Sequence, residues 1–180
     1  MKAPIIAAPL LILTFSQPSA QDASRDVETF GNVQIERISP NSSYLLHMVS
    51  EKLARGESYF ARGFIDIQCF LKERAVDLTI NTPDGPPIFD ENVRVRMWSD
   101  PENIREFVLS GIPSGAGTSL SSKANRDVAL RRVFEIFSEA STSISFEFNG
   151  QSAALDAHQM PTAWKRFLAL CPWDGSGSVF

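Results

Sequence analysis

Apolar and polar residues alternate with a period of two along much of the chain, which is the pattern of half-buried β-strands. One such segment carries Ile65, Ile67 and Cys69 on one side and Asp66 and Gln68 on the other. The pattern predicts strands over 65–71, 76–80, 93–98, 104–109 and 144–148. Strands with one polar face are typical of antiparallel sheets and differ from the apolar strands of parallel sheets.

Three segments have a helical period instead. The stripe of Ala129, Val133 and Phe137 predicts a helix over 125–139, inserted between strands. Pro161 suits the first turn of a last helix that carries Cys171 on its apolar side. The spacing of apolar residues over 42–55 predicts a further, N-terminal helix.

These elements predict the α+β class, in the form of an antiparallel β-sheet or sandwich with an N-terminal helix, one inserted helix and a C-terminal helix. We expect a single domain over 42–173. The segment 21–41 is polar, and the alternation of Val33 and Ile35 predicts a short strand within it. Residues 174–180 are expected to form a flexible tail.

The first 20 residues have the order of a secretory signal peptide: a basic start at Lys2, an apolar stretch over 5–15 and small or polar residues up to Ala20. Cleavage is expected after Ala20, or alternatively after Ala23. The apolar stretch is shorter than a membrane-spanning helix requires, so we expect no transmembrane segment after cleavage. This pattern predicts a periplasmic or secreted protein.

The composition excludes several classes of function. A net charge of −4 and a pI of about 5.2 argue against a nucleic-acid partner. Two histidines and two cysteines are too few for the common zinc modules, and we expect neither a metal nor another cofactor. In an oxidising compartment a single pair of cysteines usually bridges, so Cys69 and Cys171 are predicted to form one disulfide.

The loop from Gly111 to Ser122 is rich in glycine and serine and is the best candidate for an active-site loop. It matches neither the G-x-S-x-G nor the Walker pattern. A serine hydrolase would use Ser114 or Ser119 with a distant histidine, either His47 or His158. A flexible connector is the simpler interpretation.

Arg94, Arg96 and Trp98 share one side of a predicted strand and are the candidate binding residues. Arginine binds carboxylates and phosphates in a bidentate manner, and tryptophan adds a stacking surface. The alternative is a solvated strand face with cross-strand pairs to Asp77 or Thr79.

Three groups of residues carry a resemblance to known families. They are the strand segment Ile67, Gln68, Cys69 and Phe70, the segment from Val93 to Pro101, and an ending with Phe146, Phe148, Gly150, Ala154, Leu155, Cys171 and Trp173. Over roughly residues 60–173 the chain resembles the type VI secretion-associated periplasmic accessory proteins and is similar to the invasion-associated locus B family. The resemblance implies a disulfide-closed β-rich domain in the periplasm without known catalytic residues.

The leading hypothesis is therefore an exported, non-enzymatic binding or accessory protein, linked to a secretion system or to host interaction. Its partner would be another envelope or secreted protein. The alternatives are a small secreted hydrolase that uses a serine of the loop from Gly111 to Ser122, and a structural protein without a dedicated ligand.

Overall fold

The computed structural model describes residues 26–39, 43–49, 63–82, 88–90, 92–112, 118–122, 126–176 and 179. Twelve helices and strands lie in these ranges. They are β1 (Val27–Phe30), β2 (Val33–Ser39), β3 (Ser43–Val49), β4 (Phe64–Phe70), β5 (Ala75–Thr82), β6 (Val93–Trp98), β7 (Arg105–Ile112), β8 (Thr118–Ser121), α1 (Arg126–Glu139), β9 (Ser143–Phe148), β10 (Gln151–Asp156) and α2 (Met160–Leu170). The export signal predicted over 1–20 lies outside the described residues.

The strands pair in the order β1-β2-β3-β4-β5-β8-β7-β6-β9-β10. All of these pairings are antiparallel. The predicted β-rich α+β class with an antiparallel sheet, an inserted helix and a C-terminal helix is confirmed. The sheet curls, because β10 at one end contacts β3 and β5, the third and fifth strands from the other end. Gln151 of β10 closes this approach by donating to Thr118 Oγ1 at 3.4 Å and accepting from Thr82.

The prediction of an N-terminal helix over 42–55 is wrong for the part that the structure describes, because Ser43–Val49 form the strand β3. Leu46 and Met48 are buried on one face of this strand, and His47 and Val49 are buried on the other. An apolar run that is buried on both faces cannot be told from a buried helix by its period. Its pairing with β2 and β4 makes it a strand, and residues 50–62 lie outside the described residues.

Both ends of the predicted domain extend further than expected. Residues 27–39, expected to be polar with one short strand, form the β1–β2 hairpin, and its Val33 and Ile35 join the core. The segment expected to be a flexible tail packs on the domain over its described residues. Trp173 pairs with Val179, whose N–H donates to the carbonyl of Arg74 at 3.2 Å. Val179 is only 3% exposed, so the core includes this segment.

One face of the sheet, the inner face, carries the apolar side chains and packs against both helices. Ile65, Ile67 and Cys69 of β4 lie on it and are fully buried. α1 packs on β5, β6 and β7, and α2 packs on β1, β2 and β3. We call the opposite face, which carries Asp66 and Gln68, the outer face.

The helices meet through aromatic side chains. The cluster consists of Phe134, Phe137, Trp164, Phe167 and Trp173, whose contacting rings have centroids 5.3–5.8 Å apart. Trp164 Nε1 also donates to Ser138 Oγ of α1 at 3.0 Å. These contacts fix α2 on α1 and place its C-terminal end over β4.

This placement brings the two cysteines together as predicted. Cys171 follows the last turn of α2, and Cys69 lies on the inner face of β4. Their Cα atoms are 6.2 Å apart, and their sulfur atoms lie at disulfide distance. The pair links two elements that are 102 residues apart in the sequence.

Candidate functional site

The predicted binding residues Arg94, Arg96 and Trp98 lie on the outer face of β6. Arg96 lies opposite Glu106 of β7 and Glu147 of β9 in the strand register. Its Nη1 donates to Glu147 Oε1 at 2.8 Å, and its Nε lies 3.6 Å from Glu106 Oε1. The guanidinium is therefore hydrogen-bonded to Glu147 and forms a longer ion pair with Glu106.

The other two members of this group have different surroundings. Arg94 is exposed and lies opposite Val108 of β7. Trp98 is half-buried and lies opposite Ser145 of β9. This face therefore presents the exposed guanidinium of Arg94 and the partly accessible indole of Trp98. Arg96 lies between them, and its charge is offset by two carboxylates.

The predicted flexible loop from Gly111 to Ser122 contains regular structure. Gly111 and Ile112 end β7, and Thr118–Ser121 form β8 between β5 and β7. Ser119 is 7% exposed and lies opposite Asn81 of β5. Ser114, the other candidate nucleophile, lies outside the described residues.

The two histidines have different surroundings. His47 is 4% exposed in β3, and its Nδ1 donates to Asp66 Oδ1. His158 lies in an exposed turn, where its Nδ1 donates to Asp156 Oδ1 at 2.7 Å. The backbone N–H and then the side chain of His158 lower the pKa of the Asp156 carboxyl.

The strand order separates His47 from Ser119. β3 and β8 are three strand positions apart, which corresponds to roughly 14 Å at the usual strand spacing. Asp66 of β4 also lies on the side of His47 that faces β8, whereas a catalytic triad requires the histidine between serine and acid. The structure therefore does not bring these two residues together for catalysis.

Polar side chains on the outer face form a continuous row across five strands. The row, here called the outer polar row, runs through His47, Asp66, Thr79, Ser121 and Ser110 in one register. A second set of paired residues lies two positions further along β4, β5 and β8. It consists of Phe64, Asn81 and Ser119, which lie side by side on the same face. Sequence reasoning placed Asp66 and Thr79 on polar strand faces. It placed the other positions elsewhere: His47 in a helix, Asn81 in a turn, and Ser119 and Ser121 in a loop.

Several of these polar residues are buried, although both helices pack on the opposite face. Asn81 is fully buried, Ser121 is 5% exposed, and Ser119 is 7% exposed. Neither amide atom of Asn81 has a hydrogen-bond partner, and neither does Ser121 Oγ. Two features of the sequence could have indicated these polar positions. They are the serine-rich sequence before α1 and the two-residue spacing of Thr79 and Asn81, which places both side chains on one face of a strand.

A separate cleft of about 280 Å³ lies between α2 and the β1–β3 end of the inner face. It is lined by Asp26, Val27, Glu28, Ile35, Arg37, Tyr44, Arg166 and Leu170. Arg166 donates to Glu28 through both Nε and Nη2, with the shortest contact at 2.6 Å. This hydrogen bonding lowers the pKa of Glu28 and raises the pKa of Arg166.

Comparison with known proteins does not assign the chain to a family. It matches no family model, no curated protein and no solved structure. Within the described ranges, no group of three or more His, Cys, Asp or Glu residues could hold a metal ion. In the same part of the chain, neither α1 nor α2 is long and apolar enough to cross a membrane.

Proposed function

We propose that this chain is an exported, disulfide-linked binding or accessory protein of the cell envelope rather than an enzyme. The observation that carries the proposal is the disulfide-distance pair that joins α2 to β4. Such bridges persist mainly in oxidising compartments, which agrees with the signal pattern at the start of the chain. The resemblance to secretion-associated periplasmic accessory proteins supports the same role.

The separation of His47 from Ser119, two of the candidate catalytic residues, favours binding over catalysis. A general base must lie within about 3 Å of its proton donor, directly or through one water. His47 lies about three strand spacings from Ser119 and is already held by Asp66.

The proposed surface for a protein partner is the outer face of β6. Arg94 supplies an exposed cation there, and Trp98 supplies apolar area beside it. Aromatic and arginine side chains are the types most enriched at interface hot spots. Arg96 contributes little of its own charge, because Glu106 and Glu147 offset it.

Two measurements test this proposal. The first measures export: the intact mass of the protein from the periplasm or medium should correspond to a chain without residues 1–20 or 1–23, whereas full-length protein in the cytoplasm would contradict export.

The second measures partner binding: a photo-crosslinking residue at position 94 should capture one defined partner in living cells. The same residue at the exposed position 102, in the turn between β6 and β7, is the matched control. Equal labelling from both positions would contradict a specific surface on β6.

A further inference from the structure

The strand β1 forms one end of the sheet, and among the described strands it pairs only with β2. Arg37 N–H donates to the carbonyl of Asp26 at 3.0 Å, so the backbone groups of Asp26 face β2. These groups alternate along an antiparallel strand, so those of Glu28 also face β2, whereas those of Val27 and Thr29 face away from it. We call the outward N–H and C=O groups of Val27 and Thr29 the open edge of β1.

The open edge is accessible to a partner. Val27 is 45% exposed, Thr29 is exposed as well, and neither bonds to another segment in the part of the chain that the structure describes. An edge of this kind is a template for another strand, because an extended peptide carries N–H and C=O groups at the matching spacing. The edge therefore selects an extended peptide as its ligand.

The cleft of about 280 Å³ lies beside this edge and can receive a side chain of the added strand. It reaches from Val27 of β1 across Ile35 of β2 to Tyr44 of β3, with Leu170 of α2 above. Antiparallel addition is the more stable arrangement, and in it the ligand residue opposite Glu28 points to the inner face, as Glu28 does. That residue lies at the mouth of the cleft.

The lining of the cleft favours an uncharged, apolar side chain at this position. Both of its cations already face carboxylates of this chain: Arg166 bonds to Glu28 at 2.6 Å, and Arg37 lies 3.9 Å from Asp26. Between these pairs lie the apolar side chains of the lining, against which a valine or isoleucine would be buried.

A second copy of this chain fits the open edge less well. If Val27 pairs with Thr29 of a second β1, the two Glu28 residues lie directly opposite each other, and like charges in that position destabilise a sheet. The other end strand, β10, contacts β3 and β5 of its own sheet and is poorly placed to reach a second molecule.

We propose that the open edge of β1 binds an extended segment of another protein by antiparallel strand addition, with an apolar side chain of that segment in the cleft beneath α2. The inference rests on the proposed binding role and names a second surface for it. Its test uses a synthetic peptide, so it does not depend on export or on the partner captured at position 94.

The probe is an acetylated heptapeptide amide in which three threonines alternate with two valines between terminal lysines. With a valine in the cleft, the flanking threonines lie opposite Val27 and Thr29 and donate to their carbonyls. Amide hydrogen exchange of Val27 and Thr29, followed by NMR on the mature protein, should slow when the peptide binds. Exchange at Glu28, whose N–H already faces β2, is the internal control.

Two matched peptides test the hydrogen bonds. N-methylation of the threonines removes the donors that face β1 and should weaken binding about tenfold or more. N-methylation of the valines, whose N–H groups face away, should leave the affinity within about twofold, since no hydrogen bond to β1 is lost. Replacing the valines by aspartates should also weaken binding, because the cleft would then bury a charge.

A matched pair of variants tests the edge itself. Thr29→Pro removes one outward N–H at an edge position that tolerates proline, so it should weaken peptide binding about tenfold while the melting temperature stays close to that of the wild type. Thr29→Ala keeps the N–H and should bind the peptide as the wild type does.

Four results would overturn the proposal. They are unchanged exchange at Val27 and Thr29 with the peptide present, equal affinity of the two N-methylated peptides, equal loss in Thr29→Pro and Thr29→Ala, and slow exchange of both amides before any peptide is added. The last result would show that the edge is already covered, by a second copy if light scattering gives the mass of a dimer.

Discussion

Arg96 illustrates how the neighbours of one side chain decide its role. In the sequence it is one of two arginines beside a tryptophan, a pattern that favours an anion-binding face. In the fold it lies between Glu106 and Glu147, which hold its guanidinium from both sides. Cross-strand pairs of opposite charge stabilise a sheet, so Arg96 belongs to the fold more than to a binding surface.

Replacing Arg96 by alanine should therefore lower stability more than replacing Arg94. Arg96→Ala leaves Glu106 and Glu147 facing each other across β6, and we expect a loss of about 0.5–1 kcal/mol because the pairs are partly exposed. Arg94→Ala, at an exposed position on the same strand, is the control and should change stability by less than about 0.5 kcal/mol. Urea denaturation measures both. Equal losses would contradict the pairing.

Glu28 gives a prediction of pH dependence. Hydrogen bonds from Arg166 lower its folded-state pKa below the ordinary value of 4.5. Its contribution to stability is then complete above about pH 4.5 and is lost as the pH falls through the folded pKa. The melting temperature of wild type minus that of Glu28→Gln should be constant near neutral pH and shrink below about pH 4.5.

Arg166→Gln provides the complementary test, because it removes the donor instead of the acid. The difference between wild type and this variant should show the same loss at low pH. A difference that stays constant down to about pH 3 would show that the ion pair does not lower the pKa of Glu28.

At the scale of elements, turns and close approaches position the strands. Asn149 and Gly150 both have positive φ, 48° and 75°, and connect β9 to β10 in a two-residue hairpin. Asn-Gly is a strong hairpin signal, and sequence reasoning used it only to end a strand, so β10 was missed. Gly111 has a different role, since β7 passes close to the segment 88–90 there.

Gly111→Ala should destabilise the protein strongly. A Cβ at this position would lie 2.2 Å from the carbonyl oxygen of Ile88, so the segment 88–90 would have to move and weaken the hydrogen bond from Gly111 N–H to the carbonyl of Asp90. We expect a loss of about 2–3 kcal/mol, the upper range for overpacking.

Gly150→Ala is the comparison for this variant. Its Cβ would meet no atom within 4 Å, so its cost comes only from the positive φ and should be about 1–2 kcal/mol. Thermal and urea melts of both variants measure the difference. Gly111→Ala with wild-type stability would contradict the close approach of the two segments.

At the scale of the whole molecule, the pair Cys69–Cys171 joins the C-terminal helix to the middle of the sheet. Most of the described domain lies between these two residues in the chain. In the chain-entropy view, a bridge over a long loop stabilises mainly by restricting the unfolded state.

Cys171→Ser should cost about 2–5 kcal/mol and impair folding at about 37 °C. Addition of a reductant to the wild type should lower the melting temperature similarly. Non-reducing mass spectrometry should find no free thiol, and Ser176→Ala, in the same C-terminal segment, serves as a variant with both cysteines intact. Two free thiols, or a melting temperature unchanged by reduction, would contradict this account.

The sequence by itself determined the features that depend on local periodicity. Alternation marked β4, β5, β6 and β9, the helical stripe marked α1 and α2, and the presence of only two cysteines determined which residues pair. These signals are local because a strand or helix with one apolar face needs apolar residues at the spacing of its own period.

Only the tertiary structure decided the features that depend on neighbours distant in the chain. Ser43–Val49 is a strand because β2 and β4 pair with it, and Thr118–Ser121 is a strand because it lies between β5 and β7. The pairing of Arg96 and the buried, unpartnered amide of Asn81 likewise follow from strand register. Register is a relation between segments, and the period within one segment carries no information about it.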